Sequence, residues 1–165
     1  MRIVHIVVFL LIFTCFNPLA FAEDTQPKER FQKDGDAIVI DSLTGLMWAR
    51  QDNGKEIDWW DAQDFCKNFN AGGYTDWRIP DIKELATLYT SEQSNKDGYF
   101  IAGPIKLTDC CIWSSYDILG GALTFSFNSG KRNPNSFGNT YQLRVLPVRG
   151  TSKIDLRKYK TFKKE

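Results

Sequence analysis

The ten residues Asp76-Trp77-Arg78-Ile79-Pro80-Asp81-Ile82-Lys83-Glu84-Leu85 constrain the fold more than any other stretch of the chain. Pro80 lacks an N–H and drives Ile79 into an extended conformation, so no helix runs through Ile79. Asp81 is a good cap for a new helix, and Glu84, three residues on, can reach back to complete a capping box. Pro80 and Leu85 occupy the positions where an apolar contact fixes the angle at which the chain enters the helix. An extended segment must therefore reverse directly into a helix from Asp81 to about Thr90, with Ile82, Leu85 and Leu88 or Tyr89 facing inward. Arg78 and Glu84 are placed for an internal, structural ion pair.

The beginning of the chain reads as a targeting segment. Arg2 and His5 give a short basic start, Ile6 to Phe16 is an apolar run, and Ala20-Phe21-Ala22 is a small-x-small cleavage site, so residues 1–22 are expected to be a cleavable signal peptide. The run is short for a membrane span of about 20 residues, and no later stretch is long enough for one. An exported, periplasmic or extracellular protein with no membrane span after cleavage is the expectation. The chain carries 21 Lys and Arg against 20 Asp and Glu. Removal of Arg2 balances the two, which argues against a nucleic-acid partner. His5 is the only histidine and leaves with the signal, excluding Ser-His-Asp and Cys-His catalysis and histidine-ligated zinc.

Cys66, Cys110 and Cys111 remain, in a compartment that permits disulfides. A bridge from Cys66 to Cys110 or Cys111 is expected. A bond between the neighbours Cys110 and Cys111 would need a strained ring and is the less favoured pairing. A third possibility leaves all three reduced or paired with another chain.

Along the chain, residues 23–29 form a polar leader and residues 30–150 a single domain. Arg30 to Lys33 and Ala37 to Asp41 flank Asp34-Gly35 as a hairpin, followed by a strand at Leu46 to Ala49. Asp58 caps a helix from Trp59 to about Asn70, whose apolar stripe is Ala62, Phe65, Cys66 and Phe69, and Gly72-Gly73 ends it. Ser91 to Asp109 is a long stretch without periodicity, of the kind that is functional or loosely ordered. Ile112 to Tyr116 and Leu123 to Phe127 pair across Gly120-Gly121. Asn128 to Asn139 is turn-rich, and Tyr141 to Arg149 is a last strand. Strands, two helices, a long loop and strands again predict an α+β domain built mainly on antiparallel sheet. Residues 151–165 hold six basic and two acidic residues and form a basic tail. Leu156, Tyr159 and Phe162 share one helical face of that tail, although a disordered tail is the simpler reading.

The ordered set Phe31, Asp41 with Thr44-Gly45-Leu46-Met47-Trp48, Ala62 with Cys66, Gly73-Tyr74-Thr75-Asp76-Trp77-Arg78-Ile79-Pro80, Glu84-Leu85, Trp113-Ser114-Ser115 and Val148-Arg149-Gly150 resembles the bacterial Lcl C-terminal domain family. The resemblance spans about Phe31 to Gly150. It implies a fold related to C-type lectins and formylglycine-generating enzymes, in which the first and last strands pair and two helices flank the sheet. Some members of that family form adhesin tips that recognise sulfated glycosaminoglycans, so the resemblance implies a binding module rather than an enzyme.

Several residues are candidates for chemistry. Asn133-Pro134-Asn135 faintly echoes the calcium motif of lectins, but no Trp-Asn-Asp partner is present and an Asn/Pro turn explains it. Asp58, Asp61 and Asp64 could offer oxygens to a cation, yet a helix cap and a solvated face account for them, and no metal or cofactor is expected. The cysteines do not match the copper-holding pair of formylglycine-generating enzymes. Trp48, Trp77 and Trp113, with Arg78, Pro80 and Glu84, are expected in the structural core. One of Trp59 and Trp60 should point outward. Lys131, Arg132, Asn133, Asn135, Asn139 and Tyr141 form a polar, amide-rich set with aromatic and basic members, suited to carbohydrate or an acidic polymer. Binding to a polysaccharide or glycosaminoglycan is the leading expectation. The alternatives are an accessory envelope protein with a protein partner and a divergent cysteine-dependent oxidoreductase.

Overall fold

The computed structural model describes residues 29–92 and 94–157. The signal-like segment, the leader up to residue 28 and the tail from residue 158 lie outside the described residues. Ten elements follow one another: β1 (Phe31–Asp34), β2 (Ile38–Asp41), β3 (Met47–Ala49), α1 (Trp59–Asn68), α2 (Ile82–Leu88), β4 (Cys111–Ile118), β5 (Gly121–Ser126), β6 (Arg132–Ser136), β7 (Leu143–Arg144) and β8 (Val148–Arg149). The fold is α+β. The strands form two four-stranded sheets, ordered β1-β2-β3-β8 and β6-β5-β4-β7. All pairs are antiparallel except β4 with β7.

Side chains alternate across each sheet, and both faces of each sheet contribute buried apolar residues, while β6, the end of β1 and the second half of β4 stay largely exposed. Val39 and Trp48 of the first sheet and Ile112 and Phe125 of the second meet α2 in the main core. The opposite face of the second sheet, Trp113 and Ala122, packs on Ala62 and Cys66 of α1. Ile38, Ile40 and Met47 on the outer face of the first sheet pack with Phe69, Tyr74 and Trp77.

The two helices follow the local rules. Asp58 accepts from Asp61 N–H, and α1 ends at Asn68, before Gly72 and Gly73. In α2 the capping box is complete: Asp81 accepts from Lys83 N–H while Glu84 accepts from Asp81 N–H. The stretch that precedes α2 then ties the sheets together. Arg78 exchanges two backbone bonds with Val148, and Ser115 N–H donates to Pro80 C=O where a register shift interrupts β4.

The structure corrects several expectations. The first and last strands do not pair; β8 pairs with β3, and β1, held by its hairpin to β2, is an edge. Residues 132–136 of the turn-rich segment form β6 against β5. The expected single strand at Tyr141 to Arg149 divides, because Val145, Leu146 and Pro147 are buried while the chain passes from one sheet to the other. Residues 94–109 contain no strand or helix, yet Ile101, Ile105 and Leu107 are buried in the main core. Those three side chains anchor the segment to the interior, while Ser94, Lys96, Asp97 and Gly98 stay exposed.

Candidate aromatic binding surface

The N-terminal turn of α1 meets the chain that leaves β6. Trp59 N–H donates to Phe137 C=O at 3.0 Å, and the Trp59 indole N–H donates to Ser114 C=O at 2.8 Å. These bonds turn Trp59 inward and Trp60 outward, leaving Trp60 53% exposed. Phe137 packs against both indoles, with ring centroids 4.7 Å and 5.0 Å away. Ser136, the last residue of β6, lies opposite Gly121, which follows the β4–β5 turn. The exposed Leu119 sits on that turn, and the exposed Tyr116 lies on β4 just before it. Gln142 N–H reaches the Glu56 carboxylate, which places its exposed neighbour Tyr141 beside the approach to α1. Trp60, Tyr116, Leu119 and Tyr141 are four of the five large apolar side chains exposed among the described residues. Trp60 with Phe137, Leu119 and Tyr116 lie toward the β4–β5 turn end of the second sheet, whereas Tyr141 precedes β7, whose first residue pairs with the start of β4. Concentrated exposed aromatics mark interaction surfaces far better than scattered ones.

An amide network holds this surface in shape. Asn139 Nδ2 donates to Asn135 Oδ1, Asn135 Nδ2 donates to Thr124 Oγ1, and Asn139 Oδ1 accepts from Tyr141 N–H. Asn133, on the same side of β6 as Asn135, accepts from Thr124 Oγ1 through its backbone carbonyl. Lys131 and Arg132 are exposed at the opposite end of β6, about 14 and 10 Å along the strand from Asn135 at ~3.4 Å per residue. The six candidates therefore separate into a basic end and an amide–aromatic end. Phe137 was not among them. Its one signal in the sequence is that it is the sole large apolar side chain between Asn128 and Asn139.

The remaining candidates fall in the framework. Trp48, Trp77, Trp113 and Pro80 are buried. Arg78 donates both terminal nitrogens to Glu84, at 2.8 and 2.7 Å, and one of them also to Gly150 C=O. Arg30 grips Asp41 with two parallel bonds and donates to Thr87 C=O. Burial alone would raise the Asp41 pKa, but the Arg30 hydrogen bonds and charge, with Thr44 and Leu43, hold it below the usual carboxylate value. Asp52 accepts from Thr108 and from Gly54 N–H, and its burial outweighs those bonds and raises its pKa.

The expected bridge from Cys66 does not form: Cys110 is bonded to Cys111, and Cys66 is a free, buried thiol. The two bonded residues are neighbours at the start of β4, so closing the bond requires nothing of α1. Cys66 points inward among Ala62 and Trp113, and burial pushes its thiol up to about 12, against a partial offset from the Arg78 charge. Among the described residues no three Cys, Asp or Glu side chains converge as metal ligands. No described helix is long and apolar enough to cross a membrane.

The model of the Lcl C-terminal domain family matches residues 37–149. The chain belongs to the Lcl C-terminal domain family. The match begins just before β2 and ends with β8, so both helices, both sheets apart from β1, and the aromatic surface lie inside the Lcl C-terminal domain. No curated protein matches the chain.

Proposed function

We propose that this Lcl C-terminal domain protein is an exported, non-catalytic, lectin-like module that binds polysaccharide through the surface around Trp60, Phe137 and Tyr141. The observation that carries this reading is the exposed Trp60 packed on Phe137, beside a fixed amide network that also holds the backbone of the exposed Tyr141. A flat ring stacks on the C–H face of a sugar while neighbouring amides serve its hydroxyls, and a rigid surface loses little entropy on binding. Cys66 also argues against a thiolate mechanism at that residue, since it is buried and burial pushes its thiol up to about 12. The test is a glycan screen of the full chain that includes heparin-type chains. Binding is expected, with a Trp60→Ala variant weakened about tenfold or more. No binding to any glycan at low salt, where electrostatic contacts are strongest, overturns the reading.

A second reading, an accessory envelope module with a protein partner, is favoured by Leu119. This aliphatic side chain is fully exposed on the β4–β5 turn and has no obvious use in contacting a sugar. Co-purification of an envelope protein, abolished by Leu119→Asp, would select it.

A further inference from the structure

The charges around the aromatic surface restrict which polysaccharide it can accept. Asp61 follows Trp60, and Asp64 stands one helical turn beyond it, so their carboxylates lie on neighbouring faces of α1. Glu56 holds Gln142 N–H next to Tyr141. Glu56, Asp61 and Asp64, with Lys55, Phe65 and Asn68, line a depression of about 280 Å³ against this helix. On the sheet side Asp117 is exposed between Tyr116 and the β4–β5 turn. The nearby lysines are Lys55 and Lys67, and Lys67 is already paired with Asp64 at 3.3 Å. Lys131 and Arg132 stand at the far end of β6.

We infer that the Trp60–Phe137–Tyr141 surface takes an uncharged hexopyranose polymer and rejects sulfated or uronic-acid chains. This rests on the polysaccharide reading above and narrows it. A sulfated chain laid across Trp60 would bring its anions against Asp61, Asp64 and Glu56, and like charges brought together at an interface oppose binding. An uncharged chain meets no such opposition. Its ring faces stack on Trp60 and Tyr141, and its hydroxyls donate to the same carboxylates that repel sulfate. Carboxylate acceptors make the stronger kind of hydrogen bond with a hydroxyl donor.

The experiment is calorimetric titration of the full chain with a panel of uncharged hexaoses (cello-, chito-, manno- and galacto-) and with a heparin hexasaccharide. At least one uncharged hexaose is expected to bind. Its affinity should change less than about twofold between low and high salt, because no net charge is neutralised. Trp60→Ala should weaken it about tenfold or more, while Trp60→Phe keeps most of it. An Asp61→Asn/Asp64→Asn variant should make this surface more receptive to the heparin hexasaccharide. Trp60 is half exposed, so its removal should leave the circular dichroism spectrum unchanged. Heparin binding that is lost in Trp60→Ala overturns the inference and leaves the polysaccharide reading standing. Heparin binding with none to any uncharged hexaose does the same. Absence of binding to every sugar overturns both.

Discussion

At the scale of single residues, two buried polar groups govern the response to conditions. Asp41 is wholly buried and takes both guanidinium bonds of Arg30, a side chain that is itself only partly covered. Its folded pKa lies below the ordinary 3.8, so its stabilisation is complete above that value and is lost as pH falls through the lower folded one. Asp41→Asn is expected to cost about 2 kcal/mol at neutral pH, and the gap to the parent should narrow below about pH 4 in urea titrations. Asp52 acts in the opposite sense. Its folded pKa is raised, so its ionisation removes stability as pH rises from 3.8 through that raised value. The cysteines give a second test at this scale. Native, unreduced protein should leave Cys66 unalkylated at pH 8, because its thiol is buried and protonated. After unfolding without reductant, peptide mapping should find label on Cys66 and none on Cys110 or Cys111. Label on either of those two, with Cys66 protected, would mean that the bond runs elsewhere.

At the scale of elements, β6 shows how a polar segment becomes a strand. Ser126 N–H donates to Lys131 C=O, which makes 126/131, 124/133 and 122/135 the hydrogen-bonded pairs and leaves Pro134 opposite Leu123 in a non-bonded pair. The missing N–H of Pro134 therefore faces the open edge, where it costs no ladder bond and deters the addition of a further strand. Pro134→Val should leave stability within about 1 kcal/mol but increase concentration-dependent association in light scattering. This geometry also explains what could be read in advance. The Asp81–Glu84 capping box, the Asp58 cap and the β4–β5 pair rest on contacts a few residues apart, and local spacing encodes them. The strand character of Arg132 to Ser136 comes from its partner β5, so nothing in its own composition announces it. The candidate site was partly visible for the same reason: its amides stand together in the sequence, whereas the meeting of Phe137 with Trp60 joins residues far apart in the chain.

At the scale of the whole molecule, residues 143–149 join everything. Leu143 and Arg144 complete the second sheet alongside β4, and Val148 and Arg149 complete the first alongside β3. Between them Val145 N–H donates to the Asn53 side chain and Pro147 C=O accepts from Ala49 N–H. A chain ending after Thr151 should keep its fold, losing chiefly the hold of Lys153 N–H on Thr44 C=O. A chain ending after Gln142 should lose cooperative unfolding in circular dichroism and become sensitive to protease. The same crossing has a consequence in time. The Arg149 side chain touches Met47, 102 positions earlier, so neither sheet closes until the end of the domain has been synthesised. Contacts this distant in sequence make folding slow, because the loop must close before the pairing rewards it. If the segment at residues 1–22 directs export, that delay keeps the nascent chain threadable until translocation is complete.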